Sequence, residues 1–198
     1  MDRRARLVAA VALQLSLALL LAGPILGSNW GSNRTHPCDS HPESQCIANN
    51  GLHSYYLGNV EPNQAAATRA TCAQDYDPVT NVTCSELTSS TNADVWVNDG
   101  EYSSTAWAWT ACTSAASYGG TDPRRWCVPQ AIRYNLRFPD MYDQPPERAY
   151  IACQEFGHTL GLRHSGDRGS CMYPNDVTAA EILAPHDALM LSSNYFIP

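Results

Sequence analysis

Hydrophobic and polar positions fall into blocks along this chain, each with its own period. Residues 7–23, LVAAVALQLSLALLLAG, form one apolar run interrupted by Gln14 and Ser16 and stopped by Pro24. From residue 28 to about 50 the chain is polar, with Asn, Ser, His and Pro crowding Cys38 and Cys46. Neither strand nor helix periodicity can be traced there, which predicts a disulfide-stapled leader rather than a core element. After Pro62, the Ala- and Gln-rich stretch NQAAATRATCAQDY at 63–76 predicts a helix with proline in its first turn. Four short runs then predict strands: VTNVTCSEL at 79–87, DVWVN at 94–98, TAWAWTAC at 105–112 and QAIRYNL at 130–136. The alternation of small and large residues in AWAWT suits a strand with one buried face, so Trp96, Trp107 and Trp109 are expected in the core rather than on a substrate platform. Asp122-Pro123 marks a turn between the last two strands. From Pro146 onward, ERAYIACQEFGHTLG predicts a helix over 147–160, stopped by Gly161. Gly166, Asp167, Gly169 and Ser170 make the next stretch irregular, and AEILAPHDALML places a last helix at 177–194, interrupted at Pro185.

The start of the chain changes how the apolar run is read. Arg3, Arg4 and Arg6 precede it, and a positive start before a greasy core is the build of a secretory signal peptide, with cleavage expected near Gly27. The alternative is an uncleaved anchor, for which the polar interruptions and Pro24 make a spanning helix marginal. The expected organisation is a signal peptide at 1–27, a cysteine-containing leader at 28–60 and a catalytic-type domain at 61–198. Removing 1–27 leaves 9 basic against 18 acidic side chains, so nucleic acid, whose phosphates would be repelled, is not an expected partner. No second long hydrophobic run follows, so no stable membrane anchor is expected once the signal is cut, and the remaining length suits one core in a monomer. All eight cysteines lie beyond residue 27. An even number in an exported chain favours disulfides, although sequence leaves about a hundred pairings open.

The chemistry concentrates in CQEFGHTLGLRHS, residues 153–165. On a helix, Gln154 and His158 lie on one face about 6 Å apart along the axis. Glu155 projects beside that pair, where a carboxylate can hold a water next to a metal without binding the metal itself. Gly161 can take positive φ, end the helix and turn the chain so that His164 returns toward the same point.

The stretch QEFGHTLGLRH resembles the metzincin zinc-peptidase signature HExxHxxGxxH, with glutamine at its first histidine position. The resemblance continues through Ser165, as in the matrixin branch, and Met172 in SCMYP, which resembles the methionine turn that floors such sites. ILAPHDALMLSSNYF resembles the closing helix behind that turn, and GGTDPRRWCVPQAIRYNL is similar to small secreted bacterial proteins of this type. The implied fold is α+β: a mixed, mostly parallel twisted sheet with a site helix, a methionine turn and a C-terminal helix. The implied roles are general base for Glu155, zinc ligand for His158 and His164, turn glycine for Gly161 and site floor for Met172, with Gln154 at the first ligand position. Tyr173 directly follows Met172, not two residues later, and receives no catalytic role.

Gln154 reaches as far from Cα as the distal nitrogen of histidine, so geometry permits ligation. A neutral carbonyl oxygen is a poorer donor to Zn²⁺ than imidazole, so occupancy should fall. Cys153 and Cys171 flank the site, and a disulfide between them would clamp helix to turn, contributing about 3 kcal/mol in the chain-entropy estimate. His36, Cys38 and His41 offer a second metal site or a thiolate plug, against which a Cys38–Cys46 disulfide is the simpler account; His186 is expected to pack or cap. Two functions follow. One is a secreted, extracellular zinc metalloendopeptidase hydrolysing peptide or protein substrates by metal-activated water with Glu155 as base, any calcium being left open. The other is a catalytically inactive metzincin-like scaffold acting as a binding or surface protein. A purely structural, disulfide-stapled surface protein would leave the spacing from 154 to 172 to coincidence.

Overall fold

The computed structural model describes residues 29–31, 38, 45–121, 124–174, 176 and 178–195. The expected signal peptide, His36, His41 and the Asp122-Pro123 turn lie outside the described residues. The elements in chain order are β1 (Leu52–Leu57), α1 (Pro62–Thr71) continuing into a π-helical turn (Cys72–Tyr76), β2 (Thr83–Leu87), β3 (Val95–Gly100), β4 (Ala108–Gly119) and β5 (Trp126–Asn135). A short 3₁₀ turn (Pro139–Tyr142), α2 (Pro145–Thr159) and α3 (Pro185–Asn194) follow.

The five strands form one sheet in the order β2-β1-β3-β5-β4, parallel throughout except for β4, which runs antiparallel along the edge against β5. Alternate residues turn His53, Tyr55, Val95, Val97, Ile132 and Tyr134 to a face where all are buried. Phe156 of α2 meets that face, edge-on to His53 and Tyr55 and tilted against Tyr76. Full burial of such a ring is worth about 2–3 kcal/mol. On α1, Thr68 Oγ1 lies 2.9 Å from Tyr134 Oη, which ties that helix to β5.

Helix α2 starts where the local chemistry says it should. Pro145 and Pro146 occupy its first turn, where a missing N–H costs nothing, and Gln144 and Glu147 cap each other's backbone. The last helix is shorter than the spacing suggests: it begins at Pro185 rather than 177, because the proline ring fits only a helix's first turn.

Two expectations differ from the structure. Residues 52–57, assigned above to the leader, form β1, which sits between β2 and β3. Its pattern misleads because the buried positions begin with a histidine, His53, while Leu52 points outward at 57% exposure. Trp30, Ile47 and Ala48, also from the leader, pack into the main core. Trp96, Trp107 and Trp109 are all only half-buried: Trp107 precedes β4, Trp96 Nε1–H donates to Ser90 O, and Trp109 packs edge-on to Tyr102 beneath the Arg133 guanidinium.

Candidate metal and hydrolytic site

The last two turns of α2 and the loop after it assemble the site. Leu160 closes the helix, and Gly161, with φ of 89°, reverses the chain. A side chain there would be strained by that angle and would also place Cβ 2.6 Å from Ile47 Cγ2. The turn is pinned from the leader: Gly31 N–H donates to Gly161 O at 2.8 Å and Trp30 Nε1–H to Leu160 O at 3.0 Å. It brings the His164 ring edge-on to that of His158, with centroids 5.0 Å apart.

His158 is buried at 5% exposure and its Nδ1 lies 2.7 Å from Leu162 O. A carbonyl only accepts, so Nδ1 carries the proton and Nε2 keeps its lone pair. Burial and, to a lesser extent, the neighbouring His164 bring the His158 pKa down to about 3, with the Leu162 carbonyl opposing them. His164 is exposed as a residue, and the partial desolvation of its ring lowers its pKa in the same direction. Both imidazoles are therefore neutral at neutral pH.

Glu155 is 4% exposed, and burial raises its pKa to about 7 against the opposing hydrogen bond from Thr110. The Thr110 hydroxyl lies 3.0 Å from Glu155 Oε2 and 2.9 Å from Glu155 O. Thr110 stands on edge strand β4, and nothing in the sequence reading singled it out. Only the topology that lays β4 beside α2 brings the two together.

Gln154 is the member whose setting sequence spacing could not reveal. Its Nε2 donates toward Tyr150 Oη at 3.0 Å and toward the carbonyls of Cys171 and Tyr173, both at 3.1 Å. Two carbonyl acceptors identify this end of the carboxamide as nitrogen, because a flipped oxygen would face oxygens. Tyr150 Oη in turn donates to Tyr173 O at 2.5 Å. Gln154 thus ties α2 to the turn at 171–173, and Tyr173 enters the network through its backbone.

That turn is fixed from several sides. Cys153 and Cys171 are disulfide-bonded, beside the amide contacts of Gln154. Ser165 N–H donates to Met172 O at 2.8 Å, and Met172 N–H to Ser170 Oγ at 3.0 Å, while the Ser170 hydroxyl donates to the buried Asp187 carboxylate at the start of α3. His186 lies beside Asp187, with Nδ1 3.5 Å from Oδ1. Met172 is fully buried under α2, and only a glycine at 157 leaves room for it: a Cβ there would lie 2.5 Å from Met172 Sδ and 2.8 Å from Tyr76 Oη.

A mostly parallel sheet with an antiparallel edge, a helix presenting Glu155 and His158, a glycine turn returning His164 and a buried methionine turn beneath together define a metzincin-type metallopeptidase fold. The chain belongs to the matrixin family, whose family model, described as matrixin, matches residues 70–195. Two solved structures of myroilysin are similar to it in fold, each at a TM-score of 0.50 and 15% sequence identity. One comparison covers 77% of this chain and 96% of that chain, the other 88% and 96%. No curated protein matches the chain.

Proposed function

We propose that the chain is an exported zinc metalloendopeptidase in which His158, His164 and Gln154 hold the metal and Glu155 is the general base. The observation that carries this reading is the state of His158: its Nδ1 proton is spent on Leu162 O, so its free Nε2 lone pair is the one left for a cation, with His164 edge-on beside it. Two neutral imidazoles suit zinc, and neutral ligands need lose no proton on binding. The Gln154 carboxamide is the weak member, with its nitrogen engaged on the turn and its oxygen as the available donor. When bound, zinc would supply a Lewis acid for the peptide carbonyl and acidify a water.

The proton traffic belongs to Glu155. The Thr110 hydroxyl occupies Oε2, so the other carboxylate oxygen takes the proton of the attacking water and returns it to the leaving amine nitrogen. Burial makes this carboxylate a stronger base than an exposed one, and a nearby cation would pull its pKa back down. The substrate class is a peptide or protein, handled by a monomer outside the cell. Four disulfides among the described residues agree with that compartment, and no described helix is long and apolar enough to cross a membrane.

A second reading rests on the same glutamine. Gln154 joins α2 to the turn through protein hydrogen bonds alone, the kind of support that an inactive scaffold used for binding would require. Metal analysis of the purified exported chain separates the two. The enzyme reading expects near-stoichiometric zinc that is lost in His158→Ala, together with peptide hydrolysis that falls about 100-fold or more in Glu155→Ala while zinc is retained. No zinc at saturating concentration would leave the scaffold reading.

A further inference from the structure

Two of the four disulfides meet in space. Cys38 is bonded to Cys46 and Cys112 to Cys127, and the four residues form one sulfur cluster separate from the main core, with Cys38, Cys46 and Cys127 buried and Cys112 partly exposed. Across the two bonds, Cys46 Sγ lies 3.3 Å from Cys112 Sγ. The sulfurs of Cys38, Cys46 and Cys112 are all within 4.8 Å of one another. Backbone hydrogen bonds hold the segments in register: Ile47 N–H donates to Arg125 O at 3.1 Å and Cys127 N–H to Ile47 O at 3.2 Å. The contact therefore belongs to the fold and not to two loops that happen to touch.

Disulfides rearrange when a thiolate attacks a disulfide sulfur through a mixed-disulfide intermediate, and the rate depends on which sulfur the attacker can reach. We propose that this cluster is a disulfide-exchange site, at which a low-molecular-weight thiol converts the pairing Cys38–Cys46 with Cys112–Cys127 into Cys46–Cys112 with Cys38–Cys127. The incoming thiolate attacks Cys38 Sγ, Cys38 being the less deeply buried residue of its pair, 7% exposed against 1% for Cys46. A mixed disulfide forms on Cys38 and the Cys46 thiolate is released. That thiolate already faces Cys112 Sγ; it forms the Cys46–Cys112 bond and expels the Cys127 thiolate. The Cys127 thiolate then attacks Cys38 Sγ of the mixed disulfide, forms Cys38–Cys127 and returns the external thiolate. Two disulfides are present before and after, no electrons are gained or lost, and the thiol acts as a catalyst.

The two pairings constrain different things. In the first, each bond closes a short local loop, with sequence separations of 8 and 15. In the second, the segment before β1 is bonded covalently to the β4–β5 hairpin. Cys112 lies two residues from Thr110, the hydroxyl that holds Glu155, so the exchange acts on the strand that borders the site.

Peptide mapping of the exported full chain tests this. The protein is incubated with reduced glutathione, alkylated at low pH and digested with trypsin without reduction. Cleavage after Arg69 and Arg124 places Cys46 and Cys112 on different peptides, so a Cys46–Cys112 bond joins two peptides that the first pairing leaves apart. The expected result is that this joined species appears with glutathione while the Cys153–Cys171 link persists. Its absence at all glutathione concentrations that leave the fold intact overturns the proposal. The double variant Cys38→Ser with Cys127→Ser gives an independent reading: a Cys46–Cys112 bond is expected, and two alkylatable thiols in a folded variant also overturn it. If that variant does not fold, the mapping of the natural chain decides.

Discussion

Two demands fall on one carboxamide at Gln154. Its nitrogen donates to the part-buried backbone carbonyls of Cys171 and Tyr173, and its oxygen is the donor that the proposed function assigns to the metal. Histidine at this position would exchange these properties: it offers zinc a better nitrogen donor but has no NH₂ to serve both carbonyls. The variant Gln154→His should therefore bind zinc more tightly and yet be less stable than the natural chain when metal is stripped, by about 1–3 kcal/mol for the Cys171 carbonyl left unpaired, since Tyr173 O keeps the Tyr150 hydroxyl. Competition with a zinc chelator measures the first effect and urea unfolding in EDTA the second. Tighter zinc binding with no loss of metal-free stability would show that the hydrogen bonds of Gln154 do not support the turn. Of this site, the sequence disclosed the residues whose spacing is covalently set along α2 and its exit turn: Gln154, Glu155, His158, Gly161 and His164. Thr110 and Tyr150 escaped because their roles depend on contacts across elements, and a threonine in a strand or a tyrosine in a helix has no signature of its own.

At the scale of elements, α2 and the methionine turn are joined three times over, by the Cys153–Cys171 bond, by Gln154 and by Met172 packing on Gly157. Only the first is covalent, and it persists in the unfolded chain, where it restricts the ensemble. Replacing both cysteines with alanine should lower stability by about 3 kcal/mol, read from urea unfolding of the metal-free protein. Zinc affinity should fall with it if the turn needs the clamp, whereas an unchanged affinity would assign that support to Gln154 and Met172 alone. The elements themselves were unevenly legible. The helix starts, expected at 63 and 147 and observed at 62 and 145, and the glycine stop at 161 follow from backbone chemistry that acts locally. Strand β1 was hidden because burial there falls on His53, a residue whose polarity argues for the surface until Phe156 and Thr159 of α2 are placed against it. The leader's part in the core was hidden for a similar reason: Trp30 and Ile47 stand alone among polar residues, without a period to betray them.

For the molecule as a whole, that buried histidine links folding to pH. His53 is 1% exposed, its Nε2 lies 2.8 Å from Thr159 Oγ1, and its Nδ1 has no partner among the described residues. The Thr159 hydroxyl itself lies 2.6 Å from Phe156 O, to which it donates, so His53 Nε2 carries the proton and the ring is neutral. Burial pushes its pKa down to about 4, with Asp94 opposing. The unfolded chain, with an ordinary histidine pKa, therefore binds a proton that the folded chain refuses, and stability falls as pH drops from about 6.5 to about 4. Over that window His53 alone should remove about 3 kcal/mol. Two carboxyls act with the opposite sign: the pKa values of buried Glu155 and half-buried Asp75 are raised to about 7 and about 6 by desolvation, so each favours the folded state on acidification. The loss in the natural chain is consequently a difference of opposed contributions, and the His53 share is isolated by comparison with His53→Gln, whose amide can still donate to Thr159. Urea unfolding in EDTA at pH 7 and pH 4 should show the natural chain losing about 3 kcal/mol more than the variant. Parallel losses in the two proteins would mean that His53 is protonated in the fold and would remove it as a source of acid sensitivity, leaving the buried His158, whose pKa is lowered in the same direction.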